Sequence, residues 1–165
     1  DISKLQAGVQ VLNEAPYNLT KSIRRILTRY TKLIEQEGYH IRFEADREVF
    51  VKADEIKMEQ VIYNLVNNAV NYAGADKEVV IRQTVLADTV KVEVLDHGDG
   101  IAEDLLPYVW DRYYKVDKTH KRAVMGTGLG LSIVKNILEL HHAGYGVVSE
   151  PGCGSTFWFE LKIER

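Results

Sequence analysis

Three glycines fall within five residues in Met125-Gly126-Thr127-Gly128-Leu129-Gly130-Leu131. Glycine lacks the Cβ that restricts φ, so consecutive N–H groups there can turn toward one centre. The apolar positions Leu129, Ile133, Val134, Ile137 and Leu138 keep helical spacing. That spacing sets the N–H groups at a helix N-terminus, where anions are favoured. A polyphosphate suits such a loop, and the competing reading is a tight turn with no guest. A Walker loop is excluded because no lysine follows these glycines within the motif. A dinucleotide fingerprint is excluded because Asp117 to Arg122 are polar and cannot form the buried strand it follows. The Val-Ala-Ile-Lys, His-Arg-Asp and Asp-Phe-Gly set of eukaryotic protein kinases is absent.

A second constellation is Asp96-His97-Gly98-Asp99-Gly100-Ile101, directly after the alternating run Val90 to Leu95. The period of two reads as a half-buried strand. It would deliver the Asp96 carboxylate to the floor of a cleft that a planar ring can approach; a simple Asp/Gly turn is the plainer alternative. A third lies on a helical segment whose apolar stripe is Val61, Ile62, Leu65, Val66, Ala69 and Val70, with Asp54 as the expected N-cap. Asn64, Asn68 and Asn71 share one face of it. Asparagine is a poor helix-interior residue because its amide competes for backbone hydrogen bonds. Three on one stripe therefore point to something polar alongside, and an amide oxygen is a ligand Mg²⁺ accepts. A solvated face is the alternative.

The elements that must position these groups follow from the same patterning. Residues 1–17 read as a helix remnant and linker ending at Pro16, ahead of one domain over 18–165. Asn18 caps a helix to about Glu37, with Ile23, Ile26, Leu27, Tyr30 and Ile34 as its buried stripe, and Gly38 stops it. Residues 40–45 and 49–53 read as strands joined through Asp46-Arg47. The asparagine helix comes next, then strands near 78–86 and 89–95, a short helix near 102–109, and a charged lid at about 111–125. A helix from Leu129 and a hairpin pairing 145–149 with 155–162 close the chain. The 165 residues, 45% apolar, suffice for one core. The net charge of −3 gives no reason to expect nucleic-acid or membrane binding. The lone Cys153 suits a reducing compartment.

Together the motifs resemble those of the ATP-binding catalytic domain of bacterial sensor histidine kinases, a branch of the gyrase, Hsp90, kinase and MutL ATPase group. Asn64 to Tyr72 resembles the N box, Asp96 to Gly100 the G1 box, Val109 to Lys115 the F box, and Gly126 to Leu131 the G2 box. Ser149 to Phe157 matches the terminal strand motif. The five stand in family order over about residues 40 to 161. The resemblance implies the Bergerat ATP-binding fold, an α/β (α+β) two-layer sandwich with a mixed β-sheet and helices packed on one face.

It also implies roles. Asp96 would accept the adenine exocyclic amine, Gly98 and Gly100 would give the ring room, Ile101 would join the cofactor-binding residues, and Tyr72 would cover the adenine face. Asn68 would ligate Mg²⁺, with Asn64 as a second polar contact and Asn71 at a weakened phosphate position. Gly126, Thr127, Gly128, Leu129, Gly130 and Leu131 would hold the phosphates of ATP. Arg112 or Lys115, beside Tyr114, would approach the γ-phosphate. Thr156 would line the adenine end through its hydroxyl. In the ATPase branches a glutamate four residues before the metal-binding asparagine activates water; Asn64 stands there, and an amide cannot act as a base. The site should hold ATP without rapid hydrolysis and hand its γ-phosphoryl group to a nucleophile on another domain.

None of the five histidines lies in the context of the family's phosphoacceptor. The implied partners are a histidine-bearing dimerisation domain missing from this stretch and a downstream response regulator. The expected setting is a cytoplasmic domain, monomeric alone, of a homodimeric kinase anchored in the inner membrane. Two alternatives share the fold: an anti-sigma-type serine/threonine kinase, and a non-catalytic module that only senses ATP. The helix-exit character of residues 1–8 argues against the former; intact Asn68, Asp96 and glycines leave the latter open.

Overall fold

The computed structural model describes residues 11–111 and 130–164. The chain enters through strand β1 (Ala15–Asn18) and helix α1 (Leu19–Leu27). Asn18 caps that helix, its side chain accepting from the Lys21 N–H at 3.0 Å. The single helix expected to about Glu37 is instead two. A 3₁₀ turn at Thr28–Tyr30 separates α1 from α2 (Thr31–Glu37). The cause is local: Thr28 Oγ1 donates to the Arg25 carbonyl and Thr31 Oγ1 to the Thr28 carbonyl, competition that bends helices. The buried stripe stops with it, so Tyr30 is buried while Ile34 is 40% exposed. Gly38, at φ 74°, closes α2 as expected.

Strands β2 (His40–Ala45) and β3 (Phe50–Ala53) form where expected but do not pair with each other. β2 runs parallel to β4 (Glu78–Val85), while β3 pairs antiparallel with β1, placing Pro16 opposite Lys52. The expected linker thus yields its last residues to a two-stranded sheet. The turn between β2 and β3 is pinned elsewhere: Asp46 accepts from the Val85 N–H, and the Arg47 carbonyl accepts from the Gln83 amide. These contacts carry the chain from one sheet to the other.

The main sheet has the order β2-β4-β5-β7-β6, with β5 (Thr89–Asp96), β6 (Gly144–Glu150) and β7 (Gly154–Lys162) antiparallel to their neighbours. It is mixed, as anticipated. Along β5, Val90, Val92 and Val94 are buried and the residues between are half-buried, a period of two. Helices α1, α3 (Glu55–Tyr72) and α4 (Gly130–Leu140) cover the buried face. Ile62 and Leu65 of α3 and Leu138 of α4 are almost wholly enclosed, each worth about 1.5–3 kcal/mol in transfer from water. On the other face, Lys91 Nζ sits 4.9 Å from the Trp158 ring centroid, a cation–π contact open to solvent.

Candidate functional site

Helix α3 is anchored before it reaches the site. Asp54 is its N-cap, accepting from the Lys57 N–H at 3.2 Å, and its second oxygen accepts from the Asn13 N–H at 3.0 Å. His141, at the end of α4, closes the same corner. Its Nε2 accepts from the Asp54 N–H at 3.1 Å while Nδ1 faces the Ile137 carbonyl at 2.8 Å, which places the ring hydrogen on Nδ1. Asn67, a residue with no assigned role in the sequence reading, accepts from the buried Tyr30 hydroxyl at 2.7 Å and ties the first helical segment to α3.

At the far end of α3 lies a cavity of about 260 Å³. Asn68 and Tyr72 of α3 form one side, and Asp96 with Asp99 to Ala102 form the floor and rim. Leu105 and Val109 come from the 3₁₀ segment Glu103–Tyr108 and the residue after it, Leu131 from α4, and Ser155 and Phe157 from β7. Ile101, Val109 and Phe157 are buried, so the walls are apolar and the polar groups few, the usual make-up of a small-molecule site. Trp110 braces the Phe157 wall, its ring edge-on at 5.5 Å.

Asp96 reaches the cavity because it continues the inward row of β5 one step past Val94. It is 4% exposed, and its Oδ1 accepts from the Gly98 N–H at 2.9 Å. Burial pushes its carboxyl up to about 6, against the opposing pull of the Gly98 and Ser155 amides. Beside it, Ser149 Oγ accepts from the Ile101 N–H and donates to the Gly154 carbonyl, and lies 2.8 Å from Ser155 Oγ. Ser149 has a single hydroxyl hydrogen, so Ser155 is the donor in that last contact. Ser155 itself lines the cavity.

The glycines act through the backbone. A Cβ on Gly98 would lie 1.8 Å from the Tyr72 carbonyl oxygen, and one on Gly100, at φ 75°, 2.0 Å from the Glu150 carbonyl oxygen. Gly98 therefore lets the loop close against the end of α3.

Of the expected site residues, the structure gathers Asn68, Tyr72, Asp96, Gly100, Ile101 and Leu131 around the cavity. Asn64 stands beside it, its Nδ2 donating to the Gly130 carbonyl at 3.4 Å. Two of the expected residues are not among those lining this cavity. Asn71, expected on the same face as Asn64 and Asn68, is 7% exposed and does not line the cavity, because the helical turn carries it inward. Thr156 lies between the inward-facing Ser155 and Phe157, so strand alternation sends its side chain to the opposite face of the sheet. Ser155 takes the position assigned to Thr156. Period-two counting back from Phe159 and Leu161 would have found it. Arg112, Tyr114, Lys115, Gly126, Thr127, Gly128 and Leu129, and with them the expected lid, lie outside the described residues.

The family described as histidine kinase-, DNA gyrase B-, and HSP90-like ATPase matches residues 53–165. The sensor-like histidine kinase SenX3 of Mycolicibacterium smegmatis is 31% identical over 98% of this chain, which spans 42% of that relative's length. The catalytic domain of histidine kinase ThkA superposes with a TM-score of 0.79 at 28% identity, covering 91% of this chain and 95% of that one. Full-length ShkA, solved in complex with AMPPNP, has a TM-score of 0.82 at 25% identity, covering 96% of this chain and 33% of that one.

Proposed function

The chain belongs to the histidine kinase-, DNA gyrase B- and HSP90-like ATPase family, and from that premise we propose that it binds ATP in the cavity beside Asp96 and passes the γ-phosphoryl group to a histidine on a separate dimerisation domain. The observation that carries this reading is the buried Asp96 carboxylate at the floor of an apolar slot. A flat heterocycle with an exocyclic amine satisfies such a carboxylate, whereas guanine offers a carbonyl at the equivalent position. That full-length ShkA was solved in complex with AMPPNP supports a nucleotide as the ligand.

Around the ring, Tyr72 and Ile101 would enclose the faces and Ser155 would accept at the edge. Asn68, half-buried on the cavity wall, would offer its amide oxygen to Mg²⁺, which supplies charge neutralisation on the phosphates. Asn64, whose side chain reaches the Gly130 carbonyl at the start of α4, carries an amide that cannot act as a general base, which favours transfer over hydrolysis. In the transfer, the acceptor imidazole nitrogen bonds to the γ-phosphorus as its bond to the β–γ bridging oxygen breaks. ADP leaves with that electron pair.

Arg112 and Lys115 are proposed to offset charge developing on the γ-phosphate, and a response regulator to receive the phosphoryl group next. Among the described residues no helix is long and apolar enough to cross a membrane. We assign the domain to the cytoplasmic side of an anchored, dimeric sensor.

Incubation with γ-labelled ATP and a separately produced histidine-bearing dimerisation domain tests the proposal. Acid-labile label on that domain, lost in the Asp96→Asn variant, is the expected result. ATP binding without any transfer would reduce the chain to a nucleotide-sensing module. Rapid phosphate release by the chain alone would contradict the role given to Asn64.

A further inference from the structure

Three side chains away from the cavity meet with the donor set of a transition-metal site. His97 Nδ1 lies 2.7 Å from Asp76 Oδ2 and 3.6 Å from Glu78 Oε1. The three ligand atoms all fall within 4.8 Å of one another. We propose that Asp76, Glu78 and His97 bind a divalent ion of the zinc type, with water completing the shell.

The oxygens aimed at His97 are held in that direction by contacts on their partners. The Glu78 N–H donates to Asp76 Oδ1 at 3.0 Å, and Arg42 Nε approaches Glu78 Oε2 at 3.5 Å. One oxygen of each carboxylate is thereby engaged by the protein and the other is directed at the imidazole. Orientation of this kind is what metal-ligating carboxylates use. The backbone between them is braced as well. The Lys77 carbonyl accepts from the His40 N–H, and the Lys77 ammonium donates to the Glu37 carbonyl. Lys77 itself sits at φ 52°, in the left-handed region.

The distances suit a small ion. With ligand bonds of about 2.0–2.2 Å and tetrahedral angles, donor atoms stand roughly 3.3–3.6 Å apart. The observed 2.7 and 3.6 Å bracket that range, so the shorter contact must open by well under 1 Å. His97 and Asp76 are about half exposed, and Glu78 is 29% exposed. The side chains can make that adjustment, and an ion can reach them. One imidazole nitrogen with two carboxylates selects Zn²⁺ or Co²⁺ over Mg²⁺ and Ca²⁺, which prefer all-oxygen shells. An ion here would clasp the turn at residues 74–78 to the end of β5. The two already touch, since a Cβ on Gly74 would lie 2.1 Å from the His97 carbonyl oxygen.

Titration of the chain with Zn²⁺ against a chromophoric chelator, with Co²⁺ absorption as the spectroscopic readout, tests the site. One ion per chain is expected, with affinity weakened at least about tenfold in His97→Gln and in Glu78→Gln. His142→Gln and Cys153→Ser should bind as the unaltered chain does. Metal-free melting curves of each variant separate a lost ligand from a lost fold. On the unaltered chain, the His97 Nδ1 resonance should shift on adding Zn²⁺, which needs no substitution. No saturable binding, or undiminished binding by folded His97→Gln, or a shift confined to other histidines, would overturn the proposal and leave only the hydrogen-bonding contact between His97 and Asp76.

Discussion

Asp54 and Asp96 are each 4% exposed, yet their surroundings put them to opposite uses. Asp54 stands at the start of α3, where both oxygens accept backbone N–H groups from Lys57 and Asn13. The helix N-terminus adds a favourable dipole. Both oxygens of Asp54 are thus engaged in holding the fold. Asp96, at the end of β5, has amides of Gly98 and Ser155 nearby but opens onto the apolar cavity. Its raised carboxyl reflects the desolvation that remains. The lesson is that burial alone does not mark a site; burial with acceptor capacity left toward a cavity does.

The largest expected effect is at Asp96. Asp96→Asn should weaken ATP binding by 100-fold or more, on the order of 3 kcal/mol, the loss of a hydrogen bond to a charged group. The fold should persist, since a neutral amide is easier to bury. Calorimetric titration with ATP and melting curves measure both. ATP and ADP should raise the melting temperature of the unaltered chain, and GTP should not; equal stabilisation by GTP would remove the distinction drawn for Asp96.

The counterpart is Asp54→Ala, which strands two N–H groups and removes a cap. It should destabilise the domain by about 1–3 kcal/mol while ATP affinity of the folded fraction stays within about twofold. Denaturant unfolding reads the first, and titration well below the melting temperature reads the second. A loss of affinity as deep as that of Asp96→Asn would break the comparison.

Acidity sharpens the contrast further. Asp96 moves from 3.8 in the ordinary case to about 6 in the fold. Between those values the folded chain holds a proton the unfolded chain has released. The stability this group contributes to the unliganded domain is therefore fully present below about pH 4 and lost as pH rises through about 6. ATP binding has the opposite sign, because the ring amine needs the carboxylate. Affinity should fall as pH drops through 6, by up to tenfold per unit, about 1.4 kcal/mol, and Asp96→Asn should flatten the profile.

The smallest effect separates Ser155 from Thr156. Ser155→Ala should weaken ATP binding by about 0.5–1.5 kcal/mol, and Thr156→Ala should leave the dissociation constant unchanged. The reverse outcome would restore Thr156 to the cavity and undo the register argument.

Much of this molecule is written locally. The caps Asn18 and Asp54, the αL stop at Gly38, the apolar stripe of α3 and the alternation of β5 ending in Asp96 are each decided within a few residues, by side-chain capping, glycine's tolerance of positive φ and simple periodicity. The sequence by itself therefore determined most elements, the inward placement of Asp96 and half the cavity wall. Choices between distant partners were invisible to it. That β3 would pair with β1 rather than β2 depends on anchors at Gln83 and Val85. That Ser155 and not Thr156 faces the cavity depends on which side of β7 the helices cover. That Asn67 and Asn71 are buried while Asn68 reaches the cavity depends on the neighbours of α3, among them Tyr30, 37 residues away. And only folding brings His97 to Asp76, across 21 residues. Periodicity sorts residues into faces, but contacts between distant segments decide what each face meets, and a local pattern carries no record of them.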